Sequence, residues 1–281
     1  MFPDLIVKPL SLKELNKILL SLPADRKYLA GGTDLTVRAN ADIENSQYWI
    51  DISGLKELSY IKETAKTVLI GSGVKVSDFE DSSIIKKHLP TLLSALPHFA
   101  SPSLRNMATL GGNCANASPS ADLACALVSE EAYIVLYLKG KKRKMPLKDF
   151  FLGLRKIALK KDELIWGFEI PKRNHKGSYM KLASRSSFAI SKIGLAISVN
   201  INKRMVKSVS ISLASVAPQI ITAPKTCAFL KNKTLSVEIL EKAALIIQKE
   251  VSPITDIRSD GDYRRAMSGV LLKKGFKQIL K

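Results

Sequence analysis

The chain has 281 residues, 46% of them hydrophobic, enough to bury a large core and to form more than one compact unit. Its formal net charge is +19, and no apolar run reaches the roughly 18 residues that cross a bilayer. Three scattered cysteines (Cys114, Cys125, Cys227) without a CxxC pair, and three histidines without helical spacing, suggest neither a zinc site nor a disulfide framework.

In chain order, "LIVKP" (5–9) reads as a strand and "SLKELNKILLSLP" (11–23) as an amphipathic helix opened by the capping box Ser11–Glu14. "KYLA" and "QYWIDIS" are further strands, so residues 1–53 form a small β-α-β-loop-α-β unit. "LSYIKET" and "TVLIGSG" read as a hairpin, and residues 75–101 as mostly helical. "SADLACALVSEE" (120–131) is a helix with Pro119 near its first position, followed by the strands "AYIVLYL" and "ELIWGFEIP". The basic cluster "KGKKRK" (139–144) reads as a solvated hairpin tip.

"PKRNHKG" (171–177) is a polar linker and a domain boundary. Beyond it, three alternating segments predict a three-stranded antiparallel sheet, and three helical segments cover one face of it. The expected division is therefore 1–55, 56–173 and 174–281. The last segment carries most of the excess charge: residues 176–281 have 19 Lys and Arg against 6 Asp and Glu. That balance fits an acidic partner surface or a lysine-rich solvated exterior.

The stretches "KYLAGGTDLTVRAN" (27–40) and "NMATLGGNCANAS" (106–118) each place a glycine pair between a strand or turn and a helix. One such pair fits a tight turn as well as a phosphate cradle. Two favour an extended diphosphate held from both sides by backbone N–H groups. There is no GxxxxGK[ST], and "GSGVKV" (71–76) lacks the third glycine of a dinucleotide fingerprint. No nucleophile elbow or Cys–His pair is present either, so a bound cofactor is expected to carry the chemistry and no residue of this chain is assigned as catalytic. Asp122 reads as an acceptor for ligand hydroxyls, and Cys114 as facing the diphosphate.

Taken together, "LAGGTDL" (29–35), "ASPSLRNMATLGGN" (100–113), "ANASPSAD" (115–122), "DISGL" (51–55), "PLKDFFLG" (146–153), "SVAPQIITAP" (215–224) and "VSPITDIRSDGDYRR" (251–265) resemble the FAD-binding subunit of the xanthine dehydrogenase/carbon monoxide dehydrogenase/aldehyde oxidoreductase family of molybdenum hydroxylases. The resemblance implies an α+β chain: a vanillyl-alcohol-oxidase-type (PCMH) FAD-binding fold of two α+β subdomains, plus a C-terminal α+β domain. It also implies that Leu29, Ala30, Gly31, Gly32, Thr33, Asp34, Leu35 and Thr36, with Thr109, Leu110, Gly111, Gly112 and Asn113, wrap the FAD pyrophosphate. Phe99 would line the cofactor site, Asp122 would bond ribityl or ribose hydroxyls, Ile165 would pack near the adenine, and Lys181 would reach the flavin end. Ser187, ahead of Phe188 and Ala189, stands where the family usually has an acidic residue.

The implied partners are a large molybdenum-cofactor subunit and a small subunit with two [2Fe–2S] clusters, in a cytoplasmic heterotrimer that can pair into a dimer of heterotrimers. The substrate of the complex is read as an aldehyde, with purines, N-heterocycles and carbon monoxide as alternatives. A free-standing flavin reductase of the same fold and a basic nucleic-acid-binding protein are the rivals. Neither nucleic-acid binding nor membrane insertion is expected.

Overall fold

A computed structural model of the chain describes residues 2–185 and 189–281. The first unit is a parallel sheet in which β3 (Tyr48–Asp51) lies between β1 (Leu5–Val7) and β2 (Arg26–Leu29). Parallel neighbours need a crossover, which α1 (Leu12–Ser21) supplies between β1 and β2, and α2 (Leu35–Asn40) between β2 and β3. The capping box forms: Ser11 Oγ accepts from the Glu14 N–H at 3.2 Å, and Glu14 accepts from the Leu10 N–H at 2.7 Å. Leu15 and Leu19, one turn apart, are the buried stripe of α1. Each such burial contributes about 2 kcal/mol.

The second unit is an antiparallel sheet in the order β4 (Ile61–Glu63), β5 (Thr67–Gly71), β10 (Leu164–Pro171), β6 (Tyr133–Leu138), β7 (Lys141–Pro146). A small hairpin, β8 (Phe151–Gly153) with β9 (Lys156–Ile157), precedes β10. Between β5 and β6 run six short helices, α3 (Asp78–Asp81), α4 (Ser83–His88), α5 (Pro90–Ala95), α6 (Pro102–Arg105), α7 (Leu110–Asn116) and α8 (Asp122–Ser129). Pro119 lies ahead of α8, whose N-cap is Ala121, rather than at its first position. All eight residues of α8 are buried. A helix apolar on every side belongs inside a core, and this one packs against α5 and the C-terminal sheet.

That sheet runs β11 (Lys176–Ala183), β12 (Ser191–Asn202), β13 (Met205–Ala214), β14 (Ile221–Thr222). The three expected strands are present, and a fourth of two residues extends them, too short to leave a period-two signal. Helices α9 (Pro224–Leu230), α10 (Val237–Gln248) and α11 (Gly261–Ile279) complete the chain and share a core with the sheet.

The basic cluster is mostly strand rather than tip. Only Lys139 and Gly140, both at positive φ, make the turn, and Lys141–Lys144 lie in β7 at the edge of its sheet. Charged side chains on an edge strand discourage pairing with another chain. Here they are also engaged locally. Arg143 makes a two-pronged ion pair with Glu163, Lys144 meets Glu169 at 3.0 Å, and Lys142 lies 3.5 Å over the Trp166 ring.

Candidate functional site

The two glycine segments meet at a groove between the first two units. A Cβ on Gly31 would lie 2.0 Å from the Met107 carbonyl oxygen, and one on Gly111 would lie 2.6 Å from Ser72 Cβ. Both positions are glycine because two backbones cross there, whatever lies in the groove. Gly32 differs: its φ of +70° sets the chain turning from β2 into α2.

The N–H groups separate the loops chemically. Among the described residues, the amides of Gly32, Thr33, Asp34 and Leu35 have no protein acceptor, and Gly32 O instead accepts from Thr36 N–H and from Thr36 Oγ1 at 2.7 Å. Four consecutive free donors on a turn entering a helix form an anion seat. In the second loop the donors are spent. Leu110 N–H goes to Val74 O, Gly111 N–H to Ser72 O, Gly112 N–H to Thr109 Oγ1 and Asn113 N–H to Thr109 O. The expectation of amides on both sides is corrected to amides on one side and a close-fitting wall on the other. Asn113 Oδ1 is likewise engaged, accepting from Ala124 N–H at 3.1 Å.

Three contiguous hollows follow this seam. The widest, about 400 Å³, is lined by Gly31–Leu35, Phe99, Ala100, Leu104, Ala108, Thr109, Gly112, Asn113, Asn116 and Ile190. A narrow slot of about 60 Å³ shares Gly112 with it and is otherwise nearly all apolar, with Tyr28, Ala30, Ala115, Leu159, Leu164 and Ile165. A third, about 270 Å³, opens beside Gly31 and Thr109 and carries Lys75 and Asp78. Thus Ala30, Gly31, Gly32, Thr33, Asp34, Leu35, Phe99, Thr109, Gly111, Gly112, Asn113 and Ile165 reach these walls. Leu29, Thr36 and Leu110 stand behind them.

Asp122 and Lys181 line none of the three. They form a buried ion pair at 2.8 Å, and Asp122 Oδ1 also accepts from Tyr179 and Ser191 at 2.6 Å each. Three donors leave Oδ2 one lone pair without a protein partner. Cys114 is fully buried in the core rather than facing the groove, and burial pushes its thiol well above the usual range. Ser187 and Phe188 lie outside the described residues.

Sequence reasoning missed Arg155. From the β8–β9 turn it donates to Asn116 Oδ1 at 2.5 Å and lies 3.6 Å from Asp34, so it bridges two residues that line the wide hollow. No periodicity marks an arginine for that role, since only the folding of the hairpin brings it there.

An anion seat in the wall of a cavity that adjoins a narrow apolar slot suits a dinucleotide, and the comparisons point to the same class. Residues 2–173 match the FAD binding domain in molybdopterin dehydrogenase, and residues 178–279 match the CO dehydrogenase flavoprotein C-terminal domain. The chain belongs to this family of FAD-binding subunits of molybdenum hydroxylases, which are oxidoreductases.

Among its relatives, the carbon monoxide dehydrogenase medium chain of Hydrogenophaga pseudoflava is 30% identical over 268 residues, covering 95% of this chain and 93% of that one. The xanthine dehydrogenase FAD-binding subunit of Escherichia coli O157:H7 is 29% identical over 88% and 86% of the two chains. The glyceraldehyde dehydrogenase medium chain of Sulfolobus acidocaldarius is 28% identical over 89% of each. A solved carbon monoxide dehydrogenase from Hydrogenophaga pseudoflava, lacking the Mo-pyranopterin moiety of its cofactor, superposes with a TM-score of 0.94 at 29% identity, over 100% of this chain and 99% of that one. The α+β fold expected from the resemblance is the fold found.

Proposed function

We propose that this chain is the electron-transferring flavoprotein subunit of a heterotrimeric molybdenum hydroxylase, with units 1–55, 56–173 and 174–281. The reading rests on the row of free amides from Gly32 to Leu35 in the wall of the wide cavity, which adjoins the apolar slot at Gly112. The diphosphate of FAD is seated on those amides, the adenine in the slot beside Ile165, and the isoalloxazine in the cavity beside Phe99. Asp122 serves a ribityl or ribose hydroxyl through its remaining lone pair, and Lys181 holds that carboxylate at the flavin end. When bound, FAD supplies a carrier for reducing equivalents between iron–sulfur clusters and an external acceptor. The protein binds it, orients it and excludes water; no side chain is assigned a proton transfer.

The partners in this reading are a large molybdenum-cofactor subunit and a small [2Fe–2S] subunit, assembled in the cytoplasm and able to pair as a dimer of heterotrimers. Among the described residues no helix is long and apolar enough to cross a membrane. An aldehyde is the proposed substrate of the complex, supported by the glyceraldehyde dehydrogenase relative. Purines, N-heterocycles and carbon monoxide are the alternatives that assay of the assembled complex separates.

Purified chain should carry one FAD, and acid precipitation should move all of it to the supernatant, because no His or Cys is among the residues lining the three hollows. A colourless protein that takes up no added FAD would refute the assignment. Flavin left on the pellet would refute non-covalent binding alone, and purification without iron or molybdenum subunits would favour the free-standing reductase.

The positive C-terminal segment bears on assembly. Association with the partner subunits is expected to slow as salt rises from about 0.1 to 1 M, where the Debye length falls from about 10 to about 3 Å. A rate flat across that series would assign the lysines to solubility.

A further inference from the structure

Asp122 sits at the N-terminus of α8 in the second unit, yet three of its donors come from the C-terminal unit: Tyr179 and Lys181 on β11, and Ser191 on β12. None of the four residues is more than part-exposed, and Tyr179 is fully buried. Gly194 makes room for the tyrosine, since a Cβ there would lie 2.2 Å from Tyr179 Oη. Ser191 is itself held, its carbonyl accepting from Ser215 Oγ at 2.9 Å. Burial and the Asp122 carboxylate push the Tyr179 hydroxyl well above its ordinary pKa, so it remains a donor at neutral pH and above.

The fourth arm of this cluster points to the groove. Lys181 Nζ donates to the His98 carbonyl oxygen at 2.8 Å as well as to Asp122. The next two residues, Phe99 and Ala100, line the wide cavity, and Ala100 holds a positive φ of 46°. On the opposite side Ser191 is followed backwards by Ile190, another lining residue, 56% exposed. One carboxylate therefore ties together two of the backbone segments that carry the cavity's apolar walls.

We propose that Tyr179 and Ser191 are positioning residues: by fixing the Asp122 carboxylate they fix Lys181 on the His98 carbonyl, and so set Phe99 and Ile190 as the walls that grip the flavin end of the cofactor. Neither residue touches the cofactor. The proposal rests on the reading of the wide cavity as the seat of that end. It makes the C-terminal unit part of the binding site through a relay of hydrogen bonds, because a hydrogen bond to a charged acceptor in a water-poor interior is costly to lose.

The test compares Tyr179→Phe with Ser198→Ala. Ser198 Oγ lies 2.7 Å from Thr91 Oγ1 at the same contact between units but has no bond to Asp122. In the full chain stripped of flavin, Tyr179→Phe should weaken FAD binding about ten-fold or more and change the visible circular dichroism of bound flavin. Ser198→Ala should do neither, and Gly194→Ala should mimic Tyr179→Phe by displacing the hydroxyl. Amide hydrogen exchange in the flavin-free chain gives an arm that does not depend on the cofactor. Exchange at Phe99, Ala100 and Ile190 should quicken in Tyr179→Phe and stay unchanged in Ser198→Ala. Equal effects of the two variants would reduce the cluster to an ordinary contact between units, and an unchanged Kd and unchanged exchange in Tyr179→Phe would overturn the proposal. A wild-type chain that binds no FAD would defeat the flavin reading, and the exchange comparison would still decide the relay.

Discussion

Gly31→Val is expected to lower the stability of the flavin-free chain by about 3 kcal/mol or more, a fall in Tm of roughly 6–12 °C for a chain of this size. The cause is geometric. A Cβ at Gly31 falls 2.0 Å from the Met107 carbonyl oxygen and 2.7 Å from its carbon, both backbone atoms with no rotamer to escape into. Gly111→Val should behave alike, since its Cβ meets the Ser72 backbone, and the Gly111 N–H to Ser72 O bond of 2.9 Å would be stretched. Gly112→Ala is the contrast: its nearest neighbour is one hydroxyl oxygen, Thr109 Oγ1, at 3.0 Å, so the fold should hold to within about 1 kcal/mol. Thermal unfolding of the three apo variants, read by far-UV circular dichroism, checks this. A Gly31→Val protein melting with wild type would show that the two loops do not cross as closely as described.

Gly32→Val should do the reverse, leaving the fold in place while abolishing cofactor binding. Its nearest neighbours are side-chain atoms, Leu29 Cδ1 at 3.3 Å and Thr36 Cγ2 at 3.5 Å, so no backbone collision arises. The cost is conformational, about 1–3 kcal/mol for a β-branched residue at φ +70°. Relaxing that strain turns the Thr33, Asp34 and Leu35 amides away from a common anion, and the added methyl groups enter the space it needs. FAD affinity should fall by about a hundred-fold or more, because several charge-assisted hydrogen bonds are lost together. The outcome to watch is flavin stoichiometry after gel filtration beside an unchanged far-UV spectrum. Full stoichiometry in Gly32→Val would remove the anion seat from the first loop.

Gly32→Val and Gly111→Val divide a motif that looks uniform in sequence. Both loops read as glycine pairs before a helix, and both were expected to offer amides. The difference lies in where the donors go: the carbonyls of Val74 and Ser72 take the Leu110 and Gly111 amides, whereas among the described residues no protein acceptor takes those of Gly32 to Leu35. Those carbonyls follow β5, some 40 residues earlier in the chain, and no local pattern announces them.

The sequence by itself determined the local elements and the class of cofactor. The Ser11–Glu14 capping box, the spacing of Leu15 and Leu19, and the alternation through β11, β12 and β13 are each short-range properties, legible because helix and strand periods act over a few residues. The glycine segments marked the groove for the same reason. Only the tertiary structure decided where the long-range partners fall. It turned Cys114 into the core, laid Lys141–Lys144 along a sheet edge, brought Arg155 between Asn116 and Asp34, and gave Asp122 its donors Tyr179, Lys181 and Ser191 from another unit. A side chain's partner across 57 or 69 residues is set by how packed layers meet. That meeting depends on every buried contact between the layers at once, so no window of sequence contains it.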